Sequence, residues 1–332
     1  MKQVHMTHSI TRRAFVATAS FVTLPSLAQT ARVSRAAFLA QIARPEPMEP
    51  HIFGTLAKSL RQLGHVEGRN MAIEWRFANG DVDSLPRLAS DIVARTPDIV
   101  IAAGTLSAVA MRKATTTIPV IFGNVSDPVG FGLVQSFHRS GTNMTGVTSQ
   151  LTVLMPKLVE VMLEAMPKAS RLALLMNPQQ VSHAGFVASL SPMAERRQVR
   201  LMPYKAANPQ EIEQAFSAMA KDSVDAAVVP RDGLFIQQSR QIGELAMRHR
   251  LAVGGFDEEL ARNGALLTFG SDQHIMFRKV AEYADRVLRG AKPQDLPVEQ
   301  ASDYVLVVNR SVESVLRVQL PQSLLVRADK LI

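Results

Sequence analysis

From Ser34 onward the chain alternates short apolar runs with longer amphipathic stretches, and this rhythm limits the fold more than any other feature. An apolar run too short for a helix is buried on both faces when it forms an inner strand of a parallel sheet. Parallel neighbours then need a crossover connection, usually a helix. The repeat therefore predicts βαβ units and an α/β fold. Strands are expected over 36–40, 71–77, 98–102, 119–123 and 144–147. Between the first two, Ile52, Leu56, Leu60 and Leu63 recur at helical spacing, and Gly64 follows where a helix end favours a left-handed residue. Helices over 85–95 and 106–114 complete this set.

The rhythm then restarts, with strands expected over 171–176, 200–204, 225–230, 251–255 and 265–269. Helices are expected over 153–165, 183–198, 209–220, 236–248 and 274–288, the last with Met276, Val280, Ala284 and Val287 on one face. Two successive sets without a composition break or a long linker read as two doubly wound parallel-sheet lobes joined by a hinge. The chain is expected to cross between lobes near 149–154 and 270–274, and a third time in the tail from Pro297. The first lobe then comprises 34–150 with about 274–296, and the second 151–273 with about 297–332. There is no cysteine, so no disulfide supports either core.

The N-terminus has a different character. Arg12-Arg13 precedes an apolar run from Ala14 to Leu24, and Pro25-Ser26-Leu27-Ala28 follows, the layout of an export signal carrying a twin-arginine pair. The run is shorter than the roughly 20 residues that cross a bilayer. Residues 1–28 are therefore expected to be cleaved after Ala28, leaving a periplasmic protein. A general secretory signal is the alternative, since Ala17 stands where a Lys often follows the pair. A lipoprotein needs a cysteine at its cleavage site, and this chain has none.

The basic balance weakens once the signal is removed. Lys2, Arg12 and Arg13 fall within it and no acid does, so 34 basic residues remain against 29 acidic ones, a net +5. The bases are scattered rather than gathered into a run, which together with export argues against a nucleic-acid partner.

In open parallel sheets ligands bind beyond the carboxyl ends of the strands, so the loops there hold the candidates. Gly104, Thr105 and Ser107 lie between a strand and a helix, where free N–H groups and hydroxyls suit a carboxylate; the alternative is an ordinary helix cap. Asn124, Asp127 and Pro128 follow the next strand, with Asp127 placed to meet an amine or simply to close an Asp-Pro turn. Asn177, Arg231 and Asp232 end strands of the second lobe, and Phe256, Asp257 and Asp272 complete the rim. Phe122, Phe256 and Phe269 are candidates for apolar walls, although an aromatic at a strand end is more often part of the core. No catalytic residue, metal or cofactor is expected. There is no thiol and no G-x-S-x-G elbow, and the histidines are dispersed without metal-ligand spacing.

Several ordered segments resemble one family. Leu60-Arg61-Gln62-Leu63-Gly64-His65-Val66-Glu67-Gly68-Arg69-Asn70, Ala102-Ala103-Gly104-Thr105 and Ala114-Thr115-Thr116-Thr117-Ile118-Pro119-Val120-Ile121-Phe122 are similar to the ABC-transporter substrate-binding proteins of the tryptophan and tyrosine type. Asp127-Pro128-Val129-Gly130-Phe131-Gly132-Leu133-Val134, Gly141-Thr142-Asn143-Met144-Thr145-Gly146 and Leu324-Leu325-Val326-Arg327-Ala328-Asp329 extend the likeness. The resemblance implies the type I periplasmic-binding fold, with a ligand cleft between two lobes and three crossovers. In one departure, Gln41-Ile42-Ala43-Arg44-Pro45-Glu46-Pro47 stands where the family carries a Ser- and Gly-containing ligand loop. Arg44 and Arg231 suit an anionic ligand instead; the alternative is that both are simply solvated.

The expected function is capture of a small-molecule ligand, an amino acid or small carboxylate, by a monomer. The protein would deliver it to an inner-membrane ABC permease driven by a separate ATPase. A ligand-sensing subunit for a membrane receptor and an enzyme on the same scaffold are the alternatives.

Overall fold

The computed structural model describes Met1 and residues 33–332, so the expected export signal, its Arg12-Arg13 pair and the cleavage after Ala28 lie outside the described residues. The chain opens with β1 (Ser34–Ala40), α1 (Ile52–Gln62), β2 (Met71–Phe77), α2 (Leu85–Ala94), β3 (Ile99–Ala103), α3 (Thr105–Ala114), β4 (Val120–Val125) and β5 (Met144–Thr148). Next come α4 (Leu151–Ala165), β6 (Arg171–Met176), α5 (His183–Arg197), β7 (Arg200–Lys205), α6 (Pro209–Lys221) and β8 (Ala226–Val228). Then follow α7 (Gly233–Gln237), α8 (Ser239–His249), β9 (Ala252–Gly255), α9 (Glu258–Arg262), β10 (Leu267–Ser271) and α10 (Gln273–Leu288). The tail adds β11 (Glu299–Gln300), β12 (Tyr304–Val308), α11 (Glu313–Leu316), α12 (Gln322–Arg327) and β13 (Lys330–Leu331).

These strands form a six-stranded sheet in the order β11-β5-β4-β3-β1-β2 and a seven-stranded sheet in the order β13-β12-β10-β9-β8-β6-β7. Every pairing is parallel except β10 with β12. Both sheets share one winding. The first strand of each, β1 or β6, lies between the second and the third, and the fourth and fifth follow outward. Loops leave in opposite directions on either side of that first strand, which opens a crevice at its carboxyl end.

Each sheet is packed on both faces. Phe38, Ile99 and Ile101 meet α1 and α10 on one side of the first sheet, while Val100, Ala102 and Phe122 meet α2 and α3 on the other. In the second sheet, Leu172 and Leu174 pack on α4 and α5, and Ala173, Leu175 and Val253 pack on α6 and α8. Burial of both faces is why these strands read as continuous apolar runs.

The chain passes between sheets after β5, after β10 and after β11. The passages are tied to one another, because Ala301 N–H donates to Thr148 O (3.0 Å) and Asp272 N–H to Asp303 O (2.7 Å). The third lies beyond 297, since β11 pairs with β5 and adds an edge to the first sheet. A two-residue strand has no period to reveal it. The helix expected over 236–248 is instead α7 and α8, broken at Gln238, and α7 starts early because Asp232 caps it.

Candidate ligand-binding cleft

The two crevices face one another. Between them lies a cavity of about 80 Å³ lined by Gln41 after β1, Gly104 and Thr105 after β3, Asn124 at the end of β4, and Gln180, Ser182, Arg231 and Asp232 from the loops after β6 and β8. The lobes touch here. A Cβ built on Gly233 would stand 2.7 Å from Gln41 Cδ.

On the first lobe, Gly104 takes φ +90°, a conformation open to glycine, and begins α3 with no side-chain cap. Thr105 is buried, and its hydroxyl accepts the Ser126 N–H (3.2 Å) while lying 3.2 Å from Ser126 Oγ. Asn124 has φ +60° at a register shift between Gly123 and Val125. Such an irregularity re-aims a side chain, and Asn124 Oδ1 is buried without a donor. Three other expected residues on this lobe are not part of this lining. Ser107 is enclosed in α3 with its hydroxyl unpartnered, Asp127 accepts the Gly130 N–H (2.8 Å) within its own turn, and the Pro128 carbonyl accepts Leu133 and Val134 N–H groups.

The second lobe presents charge. Asp232 is 2% exposed, and its carboxylate accepts the N–H groups of Leu234 (2.9 Å) and Phe235 (3.3 Å) together with Asn177 Nδ2 and Gln180 Nε2. Burial raises its pKa, against the pull of those donors. Asn177 stands behind the wall, outside this lining: its N–H donates to His183 Nδ1 (2.8 Å) and its amide holds Asp232. Burial lowers the His183 imidazole to about 3, so the ring is neutral and its proton sits on Nε2.

Arg231 pairs with Asp257 and has a side chain only 10% exposed, with no acceptor on Nε. Burial lowers its guanidinium to about 10, which leaves it charged at neutral pH. Beside it, His51 caps α1 by accepting the Phe53 N–H (3.2 Å) on Nδ1. Burial foremost, then the charges of Arg231 and His274, lowers His51 to about 4.

A second cavity of about 590 Å³ adjoins the first, with His51, Ile52, Arg231 and Ile236 common to both. Phe256, Asp257 and Asp272 line this larger space, where Asp272 also caps α10 through the Ile275 N–H (2.9 Å). Ser271 Oγ and Gln273 Oε1, from residues in its wall, are buried without partners. Arg44 lies on the exposed surface over the Phe77 ring, outside both cavities.

Gln41, His51, Gln180 and Ser182 were not among the sequence candidates. Gln41 had a usable signal, since it directly follows the first strand. His51 reads as a helix cap, which it also is. The polar atoms left unpaired by the protein are suited to hydrogen-bonding a small molecule. Among the described residues no group of His, Asp and Glu is placed to hold a metal ion, and no helix is long and apolar enough to cross a membrane.

Known proteins agree with this architecture. The chain is 28% identical over 262 residues to a tyrosine-binding protein of Clostridioides difficile (strain R20291), covering 79% of this chain and 75% of that one. Among solved structures, a conserved domain protein from Vibrio cholerae matches with a TM-score of 0.84 at 24% identity, over 91% of this chain and 100% of that one. An ABC domain in complex with L-Trp from Streptococcus pneumonia matches at 0.82 and 22%, over 90% and 99%. A sequence profile described as ABC transporter substrate binding protein matches residues 45–332, most of the chain, and the protein therefore belongs to that family of binding proteins.

Proposed function

We propose that the protein is the periplasmic solute-binding component of an ABC importer. It captures an amino acid or small carboxylate between its lobes, as a monomer, and delivers it to an inner-membrane permease with a separate ATPase. The observation that carries this reading is the set of buried polar atoms without partners, Asn124 Oδ1 from one lobe and Gln180 Oε1 and Arg231 Nε from the other, around one cavity. A ligand drawn into the cleft satisfies them and favours the closed arrangement of the lobes. The tyrosine-binding relative and the L-Trp complex support an amino-acid-like ligand.

On this reading Gly104, Thr105, Asn124, Arg231 and Asp232 form the inner wall, and Phe256, Asp257 and Asp272 border the adjoining space. Ser107, Asp127, Pro128 and Asn177 act behind it or within their own turns. The test is mass spectrometry of small molecules released from the protein purified after export, followed by a thermal-shift screen. A true ligand at a hundredfold excess over its Kd stabilises by about 2.7 kcal/mol. Failure to recover or detect any small-molecule ligand overturns the proposal.

A further inference from the structure

His51 and Arg231 stand on opposite sides of the place where the lobes touch. His51 precedes α1 in the first lobe, Arg231 follows β8 in the second, and both border both cavities. Two residues beyond Arg231, Gly233 meets Gln41 of the first lobe. Arg231 pairs with Asp257 and is charged at neutral pH, so the second lobe brings a buried cation to this contact.

The bonds of the His51 ring suit its neutral form. Nδ1 accepts the Phe53 N–H (3.2 Å), which leaves the proton on Nε2. A second proton would go to Nδ1 and cost α1 its cap. That loss is internal to the first lobe, the same whether the lobes are together or apart. His274 also belongs to that lobe, with Nδ1 2.7 Å from Oγ1 of Thr55 in α1. The charge of Arg231 differs, because it arrives with the second lobe. Enclosing a second cation beside it is costly unless an acid accompanies it, and the buried acids here are committed. Asp257 is paired with Arg231, Asp272 with the Ile275 N–H, Asp232 with its backbone and amide donors, and Glu258 with Arg262 and Lys330. Glu49, in the loop that carries His51, and Glu259, on α9, are exposed. Burial foremost, then the charges of Arg231 and His274, holds His51 near 4, in keeping with this arrangement.

We propose that His51 is an acid-sensitive release switch: once protonated it repels Arg231 across the contact between the lobes, so that acid parts them and frees the solute. This rests on the reading of the protein as a solute-binding protein that closes on its ligand. Near neutrality the ring is uncharged, and the second lobe settles against it. As pH falls, the parted arrangement takes up a proton that the closed one refuses, and linkage moves the balance toward parting.

The experiment compares the titration of His51 with the lobes held together and held apart, and it needs no ligand. The chain has no cysteine, so Gln41→Cys with Gly233→Cys supplies one thiol on each lobe and removes the side chain that a Cβ on Gly233 would meet. A short bis-maleimide joins the two thiols, whereas a bulky mono-maleimide on each keeps the lobes from meeting. Ring resonances of isotope-labelled histidines are followed from pH 8 to pH 4. His51→Asn, which keeps an acceptor for the α1 cap, identifies the His51 signal. His51 should bind its proton about tenfold more tightly with the lobes apart, and acid weakens closure by up to the same factor. Arg231→Gln combined with Asp257→Asn leaves neither charge unpaired and should remove most of that difference. Equal titrations in the two forms, a difference that survives the double variant, or thiols that the short linker never joins overturns the switch. The solute-binding role stands in each of these cases, because it fails only if no small molecule is recovered from the protein or detected by the thermal-shift screen.

Discussion

The two walls of the cleft are built from different chemistry. Gly104, Thr105 and Asn124 give the first lobe a wall of backbone and neutral side chains, while Arg231, Asp232 and Asp257 give the second a wall of buried charge. Neutral hydrogen-bonding groups lose little on leaving water if one partner is found, but a buried charge needs a full set. The second wall is therefore coupled to the fold around it, through Asn177, Gln180 and the start of α7.

The largest expected effect tests that coupling. Asp232→Ala removes the cap of α7 and orphans the buried amides of Asn177 and Gln180, which should lower unfolding stability by on the order of 3 kcal/mol. Asp232→Asn keeps an oxygen for the cap and should cost less. Urea denaturation measures both, and a loss below about 1 kcal/mol for the alanine variant would remove the contrast between the walls.

A pH titration sharpens the comparison. His183, behind the second wall, holds its folded pKa near 3, and His51 near 4, against 6.5 for the unfolded chain. Below pH 6.5 the unfolded chain takes up protons that the folded one refuses, so stability should fall with pH through the window down to about 4 for His51 and 3 for His183. Asp232, with its raised pKa, has the opposite sign and recovers stability as it protonates. The urea midpoint followed from pH 7 to pH 4 should decline less steeply in His183→Gln than in the parent. Equal slopes would mean that the ring is not held neutral by burial.

A smaller effect is expected where the walls meet. Gly233→Val places side-chain atoms against Gln41, whose Cδ would lie 2.7 Å from the new Cβ, and should prop the lobes apart with about tenfold weaker ligand binding. Combining it with Gln41→Ala should restore affinity. Small-angle scattering that shows the same ligand-induced compaction in Gly233→Val as in the parent would refute this role for the contact.

The sheets were legible because strands such as Ile99–Ala103 are buried on both faces and leave an unbroken apolar run. What stayed hidden had no local signal. β11 and β13 are two residues each, and the break between α7 and α8 follows from a cap rather than from periodicity. At the site, Gly104, Asn124 and Arg231 follow strand ends and were found there. Asp257 was expected to face a ligand directly, and its pairing with Arg231 arises because β8 and β9 are neighbours in the sheet. His51 joins the cavity only because the start of α1 approaches the loop after β8, a tertiary contact that no spacing announces.

The smallest expected effect concerns Asp127, an acid close in sequence to the neutral first wall. Its Oδ1 accepts the Gly130 N–H at 2.8 Å, and a Cβ on Gly130 would fall 2.2 Å from Oδ2, so the carboxylate is folded back over its own turn rather than toward either cavity. An asparagine retains the accepting oxygen and removes the charge. Asp127→Asn should therefore change unfolding stability by less than about 0.5 kcal/mol and leave affinity for an amine-bearing ligand within twofold of the parent. Asp127→Ala loses the turn bond as well and should cost about 1 kcal/mol of stability, again with little effect on binding. Calorimetry with an identified amino-acid ligand separates the two roles. A sharp loss of affinity in Asp127→Asn, with stability intact, would mean that the first wall also carries charge to the ligand, and the division of labour between the lobes would have to be abandoned.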